Sequence, residues 1–267
     1  MDNCFNMTFL TILGPMSIKR ALKDYLSFLR YPTFDYKRDQ PLEMSMILKI
    51  YGVIYVFMIL MMAPISHVMD MENIPHAMEQ VMKDMGGVTL FFLVAILVPF
   101  LEELIFRLHL RYKPLIFLYM MLLFSTFLFF AFEDISTYHV HDMTKVPDLL
   151  RQKFGQYGPF LGFVFISFLV YLFFDKAKES FERLFVDNFG LVFHLSAVIF
   201  AAVHIFNFEI DPNKWFLIPL LVMPQFILGL YLGYLRVRNN LWVSIFIHGL
   251  NNAIPILLFG LAGLLNS

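Results

Sequence analysis

Residues 87–106 read GVTLFFLVAILVPFLEELIF, a run of twenty residues in which only Glu102 and Glu103 are charged. A helix that crosses a membrane needs about 20 mostly apolar residues, so this run predicts a transmembrane helix. A charged side chain at the middle of a bilayer costs roughly 2.5 to 3.5 kcal/mol on insertion scales, which makes an intramembrane carboxylate a candidate functional group. The run therefore indicates a helical membrane protein and a place to look for its site.

Six further segments have a similar apolar character. Hydrophobic residues make up 59% of the 267 residues and charged residues 15%, against roughly 45 to 50% and about 25% in soluble domains. We predict an all-α, polytopic membrane bundle of about seven transmembrane helices, over residues 46–65, 87–106, 115–132, 159–174, 190–206, 215–235 and 241–264. Residues 1–45 form the predicted cytoplasmic or interfacial segment, and residues 46–267 the transmembrane bundle.

The distribution of Lys and Arg predicts the orientation of the chain. These residues are concentrated in residues 1–45 and in the connections 107–114, 175–189 and 236–240. Cytoplasmic loops carry the excess of basic residues, and seven spans place all four segments on one side. We predict a multi-pass protein of the plasma membrane with a cytoplasmic N-terminus. Because the apolar stretch 7–16 follows Asp2 and no basic residue, we expect a mature chain that starts at Met1.

The composition also excludes several classes of protein. Twenty Lys and Arg against 21 Asp and Glu leave a net charge of -1, so nucleic acid is not an expected partner, whereas membrane lipids are. The single cysteine, Cys4, excludes a disulfide framework, a cysteine-based zinc site and an iron–sulfur cluster. No sequence pattern predicts an oligomeric state.

Glu102 and Glu103 cannot share one environment on a helix. Glu103 and Arg107 are four residues apart and lie on one face, whereas Glu102 projects about 100° away from Glu103. The spacing predicts an ion pair between Glu103 and Arg107, and it leaves Glu102 facing a polar cavity as a candidate general base. The alternative is that both carboxylates are solvated at the cytoplasmic interface beside Arg107 and Arg111.

His248 and Asn252 are also four residues apart, on the last apolar segment. Two hydrogen-bond donors on one helical face can reach the same small volume, which is the arrangement of an oxyanion hole. The alternative is a polar pair of the kind that joins membrane helices through hydrogen bonds.

The other histidines carry weaker predictions. His204, in the fifth apolar segment, could orient water, bind a metal or pack as a structural residue, and His194 on the same segment is expected to be structural. His139 and His141 lie in a predicted loop and are expected to be solvated. At 1.5 Å per residue, the predicted bounds place His248 about 10 Å and His204 about 21 Å from the inner ends of their helices. A shared site would then require a fifth helix that starts later than residue 190, or a kink.

Taken in order, three motifs resemble those of the type II CAAX prenyl endopeptidases and the related bacteriocin-processing family of intramembrane proteases. They are Glu102-Glu103-x-x-x-Arg107, Phe200-x-x-x-His204 and His248-x-x-x-Asn252. The stretch Gly229-x-x-x-Gly233, Arg236 and Asn239-Asn240 also resembles this family, although the glycine spacing alone equally predicts close helix packing. The resemblance covers about residues 87–260.

The resemblance implies an intramembrane endopeptidase that acts on a peptide or on a membrane-anchored or prenylated protein. In this family Glu102 would activate the water molecule and His204 would position it. His248 and Asn252 would stabilise the oxyanion, while Glu103 and Arg107 would support the motif helix. The connection between the first two motifs is longer than in many members of the family.

The sequence leaves alternatives open for the cofactor and the function. We expect no cofactor, but two histidines and a glutamate can bind zinc, so a divalent metal is the alternative, although no His-Glu-x-x-His motif occurs. A non-catalytic membrane protein that binds a partner or confers bacteriocin immunity is the first alternative to a protease. A proton-coupled transporter with Glu102, His204 and His248 as a relay is the second.

Overall fold

The computed structural model describes residues 16–75, 87–111 and 175–265, together with the single residues 169 and 173. Every regular element in these ranges is helical. We number the helices α1 (Ile18–Arg30), α2 (Met44–Met71), α3 (Gly87–Leu110), α4 (Asp175–Asp187), α5 (Phe189–Val203), α6 (Ile218–Leu221), α7 (Met223–Arg238) and α8 (Leu241–Leu265). Short 3-10 helices, His204–Asn207 and Pro212–Leu217, follow α5 and precede α6.

Four of these helices are long and apolar enough to cross a membrane. They are α2, α3, α5 with its 3-10 turn (Phe189–Asn207), and the first part of α8 (Leu241–Leu258). The bent pair Pro212–Leu221 and Met223–Arg238 would be a fifth span. These five coincide with five of the seven predicted segments. The predicted segments 115–132 and 159–174 lie outside the described residues, so the total of about seven stays a prediction.

The segment 215–235 is not the single helix that its apolar length predicts. Its two parts meet at an angle of 41°, and the break falls at Val222, between α6 and α7. Pro219 and Pro224 each lie in the first turn of the helix that contains them. Proline lacks the N–H group that would continue the hydrogen bonds of a preceding turn, so the chain bends where two prolines lie close together.

Helix α7 lies at the centre of the described bundle. Its residues from Tyr231 to Arg238 are all buried. A Cβ atom at Gly229 would lie 3.0 Å from Cδ1 of Phe200, and one at Gly233 would lie 2.8 Å from Cε2 of Phe193. These contacts confirm that the small residues let α7 and α5 approach closely.

Helix α1 packs on this bundle through an apolar face. Ala21, Tyr25 and Phe28 are buried, and the rings of Tyr25 and Phe28 lie 5.1 and 5.3 Å from that of Tyr234 on α7. The side chain of Ser17 accepts a hydrogen bond from the Arg20 amide and caps the helix. The N-terminal segment is therefore attached to the bundle from residue 17 onwards.

Asp24 forms the polar contact between α1 and the end of α7. Its carboxylate forms ion pairs with Arg238 and Lys37 and accepts hydrogen bonds from the hydroxyls of Tyr36 (3.0 Å) and Tyr234 (3.2 Å). Burial acts to raise the pKa of the Asp24 carboxyl. The hydrogen bond from Lys37 and the charge of Arg238 outweigh that effect and hold the pKa below its usual value.

The basic segments of the chain meet at one end of the bundle. The side-chain amide of Asn239 donates to the Leu42 carbonyl (2.8 Å) and accepts from the Leu42 amide (3.3 Å). The guanidinium of Arg111 donates to the Val237 carbonyl (2.9 and 3.3 Å). The N-terminal segment, the end of α3 and the α7–α8 connection therefore share one end, and its assignment to the cytoplasmic side stays a prediction.

Candidate active site

Glu103 is a fully buried carboxylate with three side-chain partners. Its side chain is 0% exposed, and Oε1 lies 3.6 Å from Nη1 of Arg107. Oε1 also accepts a hydrogen bond from Nδ1 of His248 at 3.0 Å, and the hydroxyl of Ser244 donates to Oε2. The ion pair with Arg107 is the one that the four-residue spacing predicts. The contacts with α8 add a role: Glu103 fixes the ring of His248.

Glu102 has a different environment on the next face of α3. Its side chain is 22% exposed, and its Oε2 lies 3.5 Å from Nε2 of His248. That oxygen has no hydrogen-bond partner among the described residues. Since Nδ1 of His248 faces Glu103, the ring presents its second nitrogen to Glu102. The two neighbouring carboxylates thus face the two nitrogens of one imidazole. Glu103 is buried and fully paired, whereas Glu102 has an oxygen without a hydrogen-bond partner among the described residues.

The ring of Phe200 joins all three motifs. The guanidinium carbon of Arg107 lies 3.8 Å from its centroid, and the rings of His204 and His248 lie 4.7 and 5.5 Å away. A cation over an aromatic face is attracted by the ring quadrupole. Phe200 therefore holds Arg107 and places both histidines around one side chain.

His204 lies where α5 ends and the 3-10 turn begins. Its Nδ1 is 2.7 Å from the Phe200 carbonyl oxygen. Since a carbonyl only accepts, Nδ1 carries the proton, and Nε2 is left as an acceptor. Helix α5 begins at Phe189, so the expectation that it starts later than residue 190 is wrong, and the two histidines nevertheless share the Phe200 ring.

Asn252 contacts α3 at an irregular turn. Residues Leu93–Leu97 form a π-helical turn in which the Val98 amide donates to the Leu93 carbonyl. The next residue, Pro99, has no N–H, so the Val94 carbonyl lacks its usual helical donor. The side-chain amide of Asn252 donates to that carbonyl at 3.0 Å. One of its two N–H groups is therefore used by the protein, and the second is available.

The comparison with known families agrees with this arrangement of residues. A family model described as type II CAAX prenyl endopeptidase, Rce1-like, matches residues 85–254, which is more than half of the chain. The chain belongs to this family. No curated protein and no solved structure matches the chain. Membership in the Rce1-like family, together with the apolar helices, makes this chain an integral membrane protein of a peptidase family.

The match spans the candidate site residues and leaves α1 and α2 outside. It begins just before α3 and ends within α8, and it includes Glu102, His204, His248 and Asn252. These residues thus come from α3, α5 and α8, which the fold brings together. The roles of the individual residues stay predictions.

Three features of the candidate site were not predicted from the sequence. Ser244 donates to Glu103, the Val94 carbonyl accepts from Asn252, and Phe200 contacts three motif side chains. A signal for Ser244 is present, because Ser244, His248 and Asn252 recur every four residues on an apolar helix. The Val94 carbonyl has no side-chain signal.

The sequence leaves a divalent metal as the alternative to a site without a cofactor. Within residues 16–75, 87–111 and 175–265, no group of three His, Cys, Asp or Glu side chains could hold a metal ion. The carboxylate of Glu103 is already used by Arg107, Ser244 and His248. His194 is half-buried and packs edge-on against Phe193, whereas His139 and His141 lie outside the described residues.

Proposed function

We propose that this protein is an intramembrane endopeptidase that hydrolyses a peptide bond with water activated by Glu102. The observation that carries the proposal is the pair of contacts around His248. A saturated, buried Glu103 holds Nδ1, and Glu102 faces Nε2 with an oxygen that has no hydrogen-bond partner among the described residues. A partly exposed carboxylate beside fixed donors is the arrangement that general-base hydrolysis requires.

In this mechanism Glu102 accepts a proton from water as the oxygen attacks the carbonyl carbon of the substrate. His204 accepts a hydrogen bond from the same water at Nε2. Because Nδ1–H of His248 donates to Glu103, this step needs the imidazolium form of the ring. The negative charge that forms on the carbonyl oxygen is then stabilised by Nε2–H of His248 and by the second N–H of Asn252. Glu102 then gives its proton to the leaving nitrogen, the C–N bond breaks, and an acid and an amine leave without an acyl-enzyme.

The surroundings of the site support a membrane-associated peptide as substrate. An open groove of about 980 Å³ runs along α3 and α8, and its lining includes Phe92, Ala95, Trp242, Phe246 and Gly249. The lining includes Gly249 and Ala253, the residues directly after His248 and Asn252, but none of the four proposed catalytic side chains. Its lining favours an apolar or lipid-modified chain over a polar one. We therefore propose a membrane-anchored or prenylated protein, or an apolar peptide, as the substrate class.

We further propose that the reaction needs no bound metal. The residues around Glu102 fit a carboxylate base better than a zinc site, because Glu103 is saturated and Asn252 donates to Val94. Hydrolysis by the purified protein should continue in the presence of a strong chelator. Loss of activity with chelator, and its recovery on addition of Zn²⁺, would contradict this part of the proposal.

The experiment that tests the function compares cells that express the native protein, Glu102→Gln or Glu72→Gln at equal protein levels. Mass spectrometry of new chain termini in membrane and secreted peptides is the readout. Glu102→Gln keeps the shape of the side chain and removes the base. Glu72→Gln is the matched control. Glu72 directly follows the last residue of α2 and pairs with Lys214, and neither residue belongs to the candidate site. We expect specific termini to disappear only with Glu102→Gln. Identical termini in all three strains would overturn the protease proposal and favour a binding role.

A further inference from the structure

A chain of side-chain hydrogen bonds runs from α2 through α8 to α3. The hydroxyl of Tyr51 donates to Oδ1 of Asn251 (3.4 Å), and Nδ2 of Asn251 donates to Oδ1 of Asn252 (3.3 Å). Nδ2 of Asn252 donates to the Val94 carbonyl (3.0 Å). Helix α2 lies outside residues 85–254, so the chain connects the family-matched core to a helix that the match does not include.

The polarity of this chain is fixed at the Val94 end. The Val94 carbonyl can only accept, so Asn252 must present its amide nitrogen there and its oxygen to Asn251. Asn251 must then present its nitrogen to Asn252, which leaves its own oxygen in need of a donor. The Tyr51 hydroxyl is that donor. Without the hydroxyl, Oδ1 of Asn251 has no donor, and Asn251 loses the bond that holds its side chain against Asn252.

Tyr51 is held firmly enough to perform this task. Its side chain is buried, with a relative exposure of 4%, and its ring lies 5.5 Å from that of Tyr55 on the same helix. A buried hydroxyl that loses its partner costs roughly 1 to 3 kcal/mol, so the bond to Asn251 is strongly favoured over a free hydroxyl.

We propose that Tyr51 and Asn251 are positioning residues that hold the amide of Asn252 in its donor orientation toward the substrate oxyanion. The proposal rests on the proposed function and adds residues that contact no reacting atom. Their effect passes through Asn252, because the bond to Val94 uses one N–H and the chain fixes the direction of the second.

The first test is the kinetics of Tyr51→Phe on a synthetic peptide that spans a cleavage site found by the comparison of termini. Removal of one oxyanion-hole donor lowers kcat by about 10²- to 10³-fold, and loss of its orientation should lower it by about tenfold. We expect kcat to fall and KM to stay unchanged. The control is Tyr55→Phe, one turn further along α2, which should match the native protein in both parameters.

The second test asks whether the effect passes through Asn252. In an Asn252→Ala background, Tyr51→Phe should lower kcat no further. An independent, additive loss in the double variant would overturn the proposal, as would a Tyr51→Phe variant with native kcat.

A stability cycle separates this proposal from the proposed function. The free energy of unfolding in mixed micelles is measured for the native protein, Tyr51→Phe, Asn252→Ala and the double variant. We expect the two substitutions to be non-additive, whether or not the protein hydrolyses peptides. Additive effects on the free energy of unfolding would contradict the existence of the chain of hydrogen bonds. Non-additive effects in a protein that produces no new termini would instead contradict the proposed function. The positioning role of Tyr51 in hydrolysis would then be contradicted as well.

Discussion

At the residue scale, the neighbouring carboxylates Glu102 and Glu103 have opposite environments. Glu103 compensates the buried charge of Arg107 and orients His248, whereas Glu102 is partly exposed and has an unpaired oxygen. This contrast agrees with the proposed division, in which Glu103 supports the fold and Glu102 carries out the chemistry. A single residue of displacement along a helix is enough to separate the two roles, because it turns the side chain by about 100°.

We predict that Glu103→Gln destabilises the protein strongly. It leaves the guanidinium of Arg107 buried without its counter-charge, and breaking one side of a buried ion pair costs about 3 kcal/mol or more. The free energy of unfolding in mixed micelles measures the loss. Glu102→Gln is the matched control and should change stability by less than about 1 kcal/mol. Equal stability of the two variants would contradict the division between the carboxylates.

Much of this division could be predicted from the sequence, because the pairing of Glu103 with Arg107 depends only on helical spacing. The contact between Glu103 and His248 could not, since it depends on how α3 and α8 are placed side by side. The sequence also does not predict that the Val94 carbonyl lacks its helical donor, because this results from the π-helical turn and from the missing N–H of Pro99.

At the element scale, α3 and α8 approach so closely that only glycine fits at one position. A Cβ atom at Gly249 would lie 2.6 Å from the Ala95 carbonyl oxygen, which belongs to the π-turn. The oxygen is part of the backbone and cannot move aside as a flexible side chain does. The close contact between the two helices is thus part of what brings Asn252 to Val94.

We predict that Gly249→Ala separates α3 from α8. Overpacking of a tight contact costs roughly 1 to 3 kcal/mol, and the bond from Asn252 to Val94 should lengthen, so that peptide hydrolysis falls together with stability. The unfolding free energy and the cleavage rate are measured on the same preparation. Gly52→Ala on α2 is the control, since nothing lies within 4 Å of its Cβ position. A Gly249→Ala variant as stable as Gly52→Ala would contradict the close contact.

The apolar length of the segments predicted the spanning helices well, because burial in lipid depends on length and composition. The bounds were less accurate: α2 runs from Met44 to Met71, beyond the predicted 46–65, since a helix continues past the apolar region until its backbone is capped. The break at Val222 could not be predicted from apolar length, because Pro219 and Pro224 lie inside a continuous apolar run.

At the scale of the whole molecule, α1 is attached to the bundle by the charges around Asp24. Because the pKa of this carboxyl is lower in the folded protein than in the unfolded chain, its contribution to stability is present above about pH 4, the usual pKa of an aspartate. The contribution is lost as the pH falls through the lowered pKa.

We predict that Asp24→Asn lowers the free energy of unfolding at neutral pH by about 3 kcal/mol, because Arg238 loses its buried partner. The difference between native protein and variant should stay constant from pH 7 to about pH 5 and shrink below about pH 4. Unfolding measured across this range checks the sign. A difference that grows toward acid pH would contradict the lowered pKa.

We also predict opposite membrane sides for residues 39 and 213. In a Cys4→Ser background, Asp39→Cys near Asn239 and Asn213→Cys beyond the 3-10 turn after α5 give single exposed thiols. An impermeant maleimide applied to intact cells should label only Asn213→Cys, and permeabilised cells should label both. Labelling of Asp39→Cys in intact cells would reverse the predicted orientation.

The concentration of basic residues indicated which segments share an end, because membrane insertion acts on charge and not on packing. The contacts of Arg111 and Asn239 within that end could not be predicted, since they depend on backbone groups that carry no side-chain signal.

Two of these contacts are reciprocal. The guanidinium of Arg236 on α7 donates to the carbonyls of Arg107 and Leu108 at the end of α3, and that of Arg111 after α3 donates to the Val237 carbonyl at the end of α7. Each arginine places its positive charge at the negative end of the other helix dipole. Neither helix can slide along its axis or rotate about it without losing both sets of bonds. Any widening between α3 and α7 must therefore occur as a pivot about this shared end, with the largest displacement at the opposite membrane face.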